Sequence, residues 1–310
     1  MDDNRGISKT FCEAFLKNGA LSPFLAKVKE KNSGLQLRFR GNNKPEAVTI
    51  YYNNHMVWKI SRLMRGYKVE VSANHAKGSR KDELLEQLQQ EPLSFITKSD
   101  HAKSYPYVVK KTFDDNFVNN TYNLMVDAIK EFFGAGKYQE KRIQQELFGA
   151  LTESQDGLYV YDLEFKQRNG KNENEPDMLA VRYSEGKPQS IVFVEVKSKW
   201  KACEDEKSGL TKHLDGMNHY IKNSPYLNNR KQEAHDIILA YKSLKLHNPP
   251  KNVPDPENLN KFEMMIILTD TAVDYYHAHE GVIQEYIKKN YNCKIMEWTE
   301  AKLLNLLFEN

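Results

Sequence analysis

Alternation of apolar and polar side chains with period two marks strands, and recurrence at three and four residues marks helices. From about residue 118 the chain switches between these two patterns. Met125, Ile129, Phe132 and Phe133 form a helical stripe over 118–133, and Gly134-Ala135-Gly136 breaks it. A second helix is expected over 137–152, with Ile143, Leu147, Ala150 and Leu151 on its buried face. Strands are expected at 158–166, 176–183 and 190–198, then a helix over 208–223. Ile237–Tyr241 and Met264–Leu268 read as buried strands joined by the Pro-rich stretch 247–258. A helix over 273–289, a strand over 292–298 and a helix over 300–308, capped by Thr299, complete the pattern.

The first third reads differently. Residues 7–31 are helical, with interruptions near Gly19 and Pro23. Strands are expected at 35–40, at 46–60 with a bend near Asn53-Asn54, and at 66–73. A charged helix over 80–91 ends at Pro92, and 93–116 reads as irregular. These patterns predict a smaller N-terminal α+β domain, 1–115, and an α/β domain, 116–310, whose mixed central sheet is flanked by helices.

Charge sharpens this division. The chain's net charge is +3, but residues 1–110 carry 19 Lys and Arg against 11 Asp and Glu. Residues 38–80 hold nine basic and two acidic side chains, interleaved with Phe39, Tyr51, Tyr52, Trp58 and Tyr67. Basic groups neutralise phosphates and aromatic faces stack on unpaired bases, so Arg38, Arg40, Arg62 and Arg65 are candidate nucleic-acid contacts. The competing expectation is a platform on 1–115 for a partner protein or a second copy of the chain. No apolar run reaches the ~20 residues of a membrane helix, so no membrane partner is expected. The first ten residues lack the regions of a signal peptide. Three scattered cysteines, Cys12, Cys203 and Cys293, fit a reducing cytoplasm and argue against a zinc ribbon or a disulfide framework.

The candidate chemistry lies on one hairpin. In Ile191–Lys197, Val192, Val194 and Val196 share one strand face, and Ile191, Phe193, Glu195 and Lys197 share the other. Ser184–Pro188 reads as a turn. A hairpin centred on Gly186 sets Asp177, nine residues before it, opposite Glu195, nine after it. Opposed Cβ atoms in such a pair are roughly 4.5–5.5 Å apart. Two carboxylates so close disfavour each other's ionisation, and a divalent cation removes the conflict. Mg²⁺ suits such oxygens, with Mn²⁺ as a substitute, and a bound metal acidifies water and polarises a phosphoryl group. Lys197 would then stabilise charge on the attacked phosphate or position the attacking water.

Pro176-Asp177 with Glu195-Val196-Lys197 resembles the signature of the PD-(D/E)XK nuclease superfamily, over roughly residues 118–245. The resemblance implies a restriction endonuclease-like αβββαβ core and a Mg²⁺-dependent endonuclease that hydrolyses phosphodiesters in DNA, with RNA left open. Asp177, Glu195 and Lys197 would be catalytic, the two carboxylates as metal ligands. The superfamily often adds a helical acid. Glu146, at the edge of the stripe set by Ile143 and Ala150, is the favoured candidate, and Glu140 the other. Restriction or antiviral defence is the setting that the superfamily's habits suggest. The alternative is a non-catalytic nucleic-acid-binding or assembly protein on a nuclease-like core.

Other residues carry weaker signals. Lys199 continues the Glu195–Lys197 face, and Lys212, His213 and Tyr220 on the following helix are candidate phosphate contacts. One subgroup of the superfamily has a glutamine four residues before a tyrosine on this helix; Gly216 stands there. Asp162 and Glu164 alternate with the apolar residues of their strand and are expected to face solvent, with an approach to the metal as the alternative for either. His277 and His279 diverge on a helix, and Pro254-Asp255 reads as a turn. No phosphate-binding GxxxxGK[ST], no GxGxxG and no nucleophile elbow occurs.

Overall fold

In the computed structural model of the chain, the described residues are 6–41, 45–72, 82, 83, 86, 107–133, 139–152, 157–163, 176–206, 209–224 and 227–298. They fold as two compact units, Met1–Arg142 with Ser243–Leu246, and Ile143–Lys242 with His247–Asn310. No helix among the described residues is long and apolar enough to cross a membrane.

The first unit contains a five-stranded antiparallel meander: β1 (Leu35–Phe39), β2 (Ala47–Tyr52), β3 (His55–Leu63), β4 (Gly66–Val71) and β5 (Tyr107–Lys110). The stretch expected as one bent strand over 46–60 is two strands. Asn53 and Asn54, both at positive φ, reverse the chain between paired Tyr52 and His55. Asparagine tolerates that conformation, so the pair makes a hairpin turn rather than a bend. The stretch expected as irregular also contributes β5 to this sheet. Its four residues are too few to display a period of their own. The helix expected over 80–91 is helical at Asp82, Glu83 and Glu86, and its other positions lie outside the described residues.

Two short helices, α1 (Lys9–Glu13) and α2 (Ser22–Lys29), replace the interrupted helix expected over 7–31. Helix α3 (Asp115–Phe133) packs on α2 and β3, so this unit runs beyond the division expected after residue 115. Its core is aromatic. Phe24 meets Trp58, Phe113 and Phe117, and the buried Trp58 indole donates to Thr121 Oγ1 at 3.0 Å.

The second unit is mixed α/β. It follows the order α4 (Gln139–Thr152), β6 (Gly157–Leu163), β7 (Met178–Ser184), β8 (Lys187–Lys197), α5 (Trp200–Glu204), α6 (Leu210–Asn223), α7 (Leu227–Leu244), β9 (Lys261–Leu268), α8 (Thr271–Asn290), β10 (Cys293–Glu297). The first four residues of α4 and the last two of α7 fall by sequence in the first unit. The sheet order is β10-β9-β8-β7-β6. Strands β6, β7 and β8 form an antiparallel meander, and β9 and β10 join parallel to β8. The helix expected over 300–308 lies outside the described residues.

Ile237–Tyr241 is helix, not strand. A short apolar run cannot separate a buried strand from a buried helix. Here Arg230, Glu233, Ala234, Ile237, Ile238 and Tyr241 are all buried, which is helical spacing. The charged pair at its start, Arg230 in contact with Glu233, conceals the stripe in the sequence.

Arg182 on β7, Ser190 on β8 and Glu263 on β9 stitch three strands together. Arg182 Nε donates to Glu263 Oε2 at 2.9 Å and Ser190 Oγ to Glu263 Oε1 at 2.5 Å. Burial alone would raise the Glu263 pKa, but these hydrogen bonds and the guanidinium outweigh it and hold the carboxyl below its usual range.

Two tests follow from these turns and ties. Glu185 and Gly186 both lie at positive φ in the β7–β8 turn, which suits Asn-Gly. Glu185→Asn should raise stability by a few tenths of a kcal/mol, and Gly186→Ala should lower it by roughly 1 kcal/mol, as read by urea denaturation. A depressed carboxyl stabilises the fold above its unfolded pKa of about 4.3. That contribution disappears as pH falls through the lower folded value. Arg182→Met should therefore cost more at pH 7 than at pH 3, which melts across pH would read.

Candidate active site

The β7–β8 hairpin has the register expected of it. Met178 pairs with Val194, Leu179 with Phe193, Ala180 with Val192, Val181 with Ile191 and Arg182 with Ser190, followed by a one-residue shift near the turn. Asp177 immediately precedes β7, one position beyond the Met178–Val194 pair. Strand β8 is central, and every residue from Ser190 to Ser198 is buried. Its end therefore places a carboxylate and an ammonium inside the protein, a costly arrangement unless the charges find partners.

Glu195 is 2% exposed and Lys197 6%. Lys197 Nζ lies 2.9 Å from Glu195 Oε1. His213 Nδ1, from α6, lies 2.8 Å from the same oxygen, but its N–H is not aimed along that line, so it is a close contact rather than a well-formed hydrogen bond. Glu195 Oε2 is buried and has no hydrogen-bond partner among the described residues. Asp177 is held on both oxygens. Gln144 Nε2 donates to Oδ1 at 2.9 Å, and the Val196 backbone N–H donates to Oδ2 at 2.8 Å. Val196 lies between Glu195 and Lys197. The Asp177 carboxylate thus grips the peptide that carries both groups, at the point where β7 has ended and can offer no carbonyl.

Helix α6 covers this face of β8. Tyr220 meets Phe193 edge-on at 5.5 Å, and His213, two turns earlier, reaches Glu195. Leu210, Leu214, Met217 and Tyr220 are its buried stripe.

Several expected site residues stand elsewhere. Glu146 is exposed. The α4 residue that reaches Asp177 is Gln144, which is buried. Ile143, Leu147 and Leu151 are buried as expected, but Gln144 and Phe148 are buried beside them, which centres the face away from Glu146. The α4 position at the right phase carries an amide, not the helical acid that the resemblance implies. Glu140's side chain and Glu164 lie outside the described residues. Asp162 does not face solvent. It is buried at a register shift in β6, and its Oδ1 accepts the Leu163 N–H. A bulge re-aims side chains, and alternation alone cannot anticipate one.

Lys199 and Lys212 are exposed, as phosphate contacts require. The arginines divide. Arg38 is fully buried, donates to Asn54 Oδ1 and Gln36 Oε1, and lies 4.4 Å from the centre of the Tyr51 ring. Arg40 donates to the Tyr51 hydroxyl, and Arg62 to Glu46 and Ser8. Arg65 is exposed in the β3–β4 turn. Arg38 is therefore structural, because its guanidinium has no path to a phosphate. His277 lies 3.5 Å from Glu297, and His279 bonds the Tyr275 carbonyl, so the two histidines go separate ways.

The donor chemistry narrows what the site can do. Burial pushes the thiols of Cys12 and Cys203 up to about 11 and that of Cys293 to about 12, so none offers a thiolate near neutral pH. Two carboxylates, one with an unmet buried oxygen, suit Mg²⁺, which uses one or two carboxylates and keeps its waters. Among the described residues no group of three His, Cys, Asp or Glu side chains converges as a metal cage. No protein-family model matches the chain, and no curated protein or solved structure matches it either.

The geometry separates two substitutions at Asp177. Asp177→Ala removes the acceptor of the buried Val196 N–H and of a Gln144 amide hydrogen bond, and should cost about 1–3 kcal/mol. Asp177→Asn keeps an acceptor for Val196 and should cost less. Chemical denaturation of both variants measures the difference, and equal losses would contradict the role of the Val196 contact.

Proposed function

We propose that the chain is a metal-dependent nuclease with a restriction endonuclease-like core, acting on DNA. The observation that carries this reading is the nearly inaccessible Glu195, whose Oε2 is unmet, beside Lys197 and one peptide from the carboxylate of Asp177. A buried carboxylate oxygen without a partner is costly for structure alone. The order of α4, the β6–β8 meander, the intervening helices and parallel β9 supports the αβββαβ reading.

In this reading Asp177 and Glu195 hold Mg²⁺ or Mn²⁺, which when bound supplies a Lewis acid and an acidified water. Gln144 orients Asp177 from α4. Lys197 leaves Glu195 and presents its ammonium to the phosphate. Exposed Lys199, Lys212 and Arg65 supply phosphate contacts, and DNA-directed defence is the setting that we favour.

The second reading, a non-catalytic nucleic-acid-binding or assembly protein on the same core, draws on one observation. An amide, not an acid, reaches Asp177 from α4.

Supercoiled, linear and single-stranded DNA, and RNA, incubated with the protein separate the two. Cleavage of DNA should require Mg²⁺ or Mn²⁺ and stop with EDTA. Glu195→Gln, Lys197→Ala and the fold-matched Asp177→Asn should each lose about a hundredfold or more. Gln144→Ala should slow cleavage more than Glu146→Gln. Metal-independent cutting, or full activity in Asp177→Asn, would defeat the nuclease assignment. Tight binding without cutting would favour the second reading.

A further inference from the structure

Lys197 faces conflicting demands under the proposed function. Its ammonium lies 2.9 Å from Glu195 Oε1, yet it must face the phosphate during the reaction. When it turns, Oε1 loses that cation inside the protein, and the carboxylate is free to rotate. The second nitrogen at that oxygen is His213 Nδ1, at 2.8 Å. His213 stands on the sheet-facing side of α6, three residues after Leu210 and four before Met217, where the helix is otherwise apolar. An apolar residue would fill that position equally well as packing, but it would offer nothing to a carboxylate. The imidazole side chain is 17% exposed and Glu195 3%, so this contact is largely shielded from water, which strengthens it.

We propose that His213 is a positioning residue for Glu195. It holds Oε1 when Lys197 turns to the substrate, and so keeps Oε2 presented as the metal-binding oxygen. No bond to substrate is assigned to it. This role rests on the nuclease reading above. Residues that orient a metal-binding carboxylate typically contribute 10- to 100-fold to affinity or activity. The sequence conceals this role because a histidine on an amphipathic helix reads as one more candidate for phosphate.

The test compares His213→Ala, His213→Phe and His213→Asn in the full chain. Ala suits a helix, Phe keeps the ring volume without a donor, and Asn restores a short donor. Mn²⁺ binding is measured by titration calorimetry without nucleic acid, beside single-turnover cleavage and melting temperature. Ala and Phe should weaken Mn²⁺ binding and slow the chemical step by roughly tenfold or more. Asn should recover most of both, with KM and melting temperature little changed in all three. Mn²⁺ affinity and rate within twofold of wild type in a folded Ala or Phe variant would overturn the role of His213. It would leave the metal site standing if Glu195→Gln still abolishes binding. Wild-type protein that binds no Mn²⁺ would overturn the nuclease reading and this proposal together.

Discussion

The arrangement of the second unit turns on one constraint: a carboxylate buried in the central strand of a sheet. Glu195 lies in β8, between β7 and β9, and is 2% exposed. A charge in that position needs compensation from several directions. It comes from along the strand through Lys197, and His213 Nδ1 of the covering helix stands in close contact with the same oxygen. Asp177 fixes the Val196 peptide next to Glu195, and Gln144 fixes Asp177 in turn. Elements far apart in sequence thus meet at one strand end because a carboxylate is there. One oxygen, Glu195 Oε2, is still left without a hydrogen-bond partner among the described residues.

The first unit treats its charges differently. Arg38 and Arg40 both lie over Tyr51, Lys68 over Tyr107 and Lys27 over Tyr122. A tyrosine face attracts a cation and covers its alkyl stem, so a basic, aromatic-rich segment can consume its own charges within the fold. Among the described residues of 38–80, Arg38, Arg40 and Lys68 are taken up in this way. Exposed Arg65 remains on offer, whereas Arg38 is bonded inside the sheet.

The β7–β8 register was legible in the sequence because it depends on local quantities. The turn at Glu185-Gly186 centres its nearest pairs between those two residues, a one-residue shift beyond Tyr183 moves the centre onto Gly186, and the period of two then fixes which side chains oppose. Glu195 and Lys197 follow from that arithmetic, as does the position of Asp177 beside them. The burial of Ile143, Leu147 and Leu151 was likewise a matter of period. Local pattern does not decide a position where the contact is distant or the strand irregular. Asp162 turned inward at a bulge, and Ile237–Tyr241 joined a helix whose stripe begins with a buried arginine and glutamate. Gln144 was invisible as a site residue because nothing local marks an amide as the partner of a carboxylate 33 residues away.

By itself, then, the chain determined the β7–β8 pair, the period of most of its helices and which acidic and basic groups share the β8 face. Steric alternation and turn chemistry act over a few residues, and a sequence displays them directly. Only the tertiary structure decided which groups meet that face. Gln144 over Glu146, His213 over Glu195 and Tyr51 under Arg38 are choices made by the phase of one element against another. Such phases are set by the packing of the whole core, where a shift of one residue on a helix turns a side chain by about 100° and moves it from a buried carboxylate to solvent.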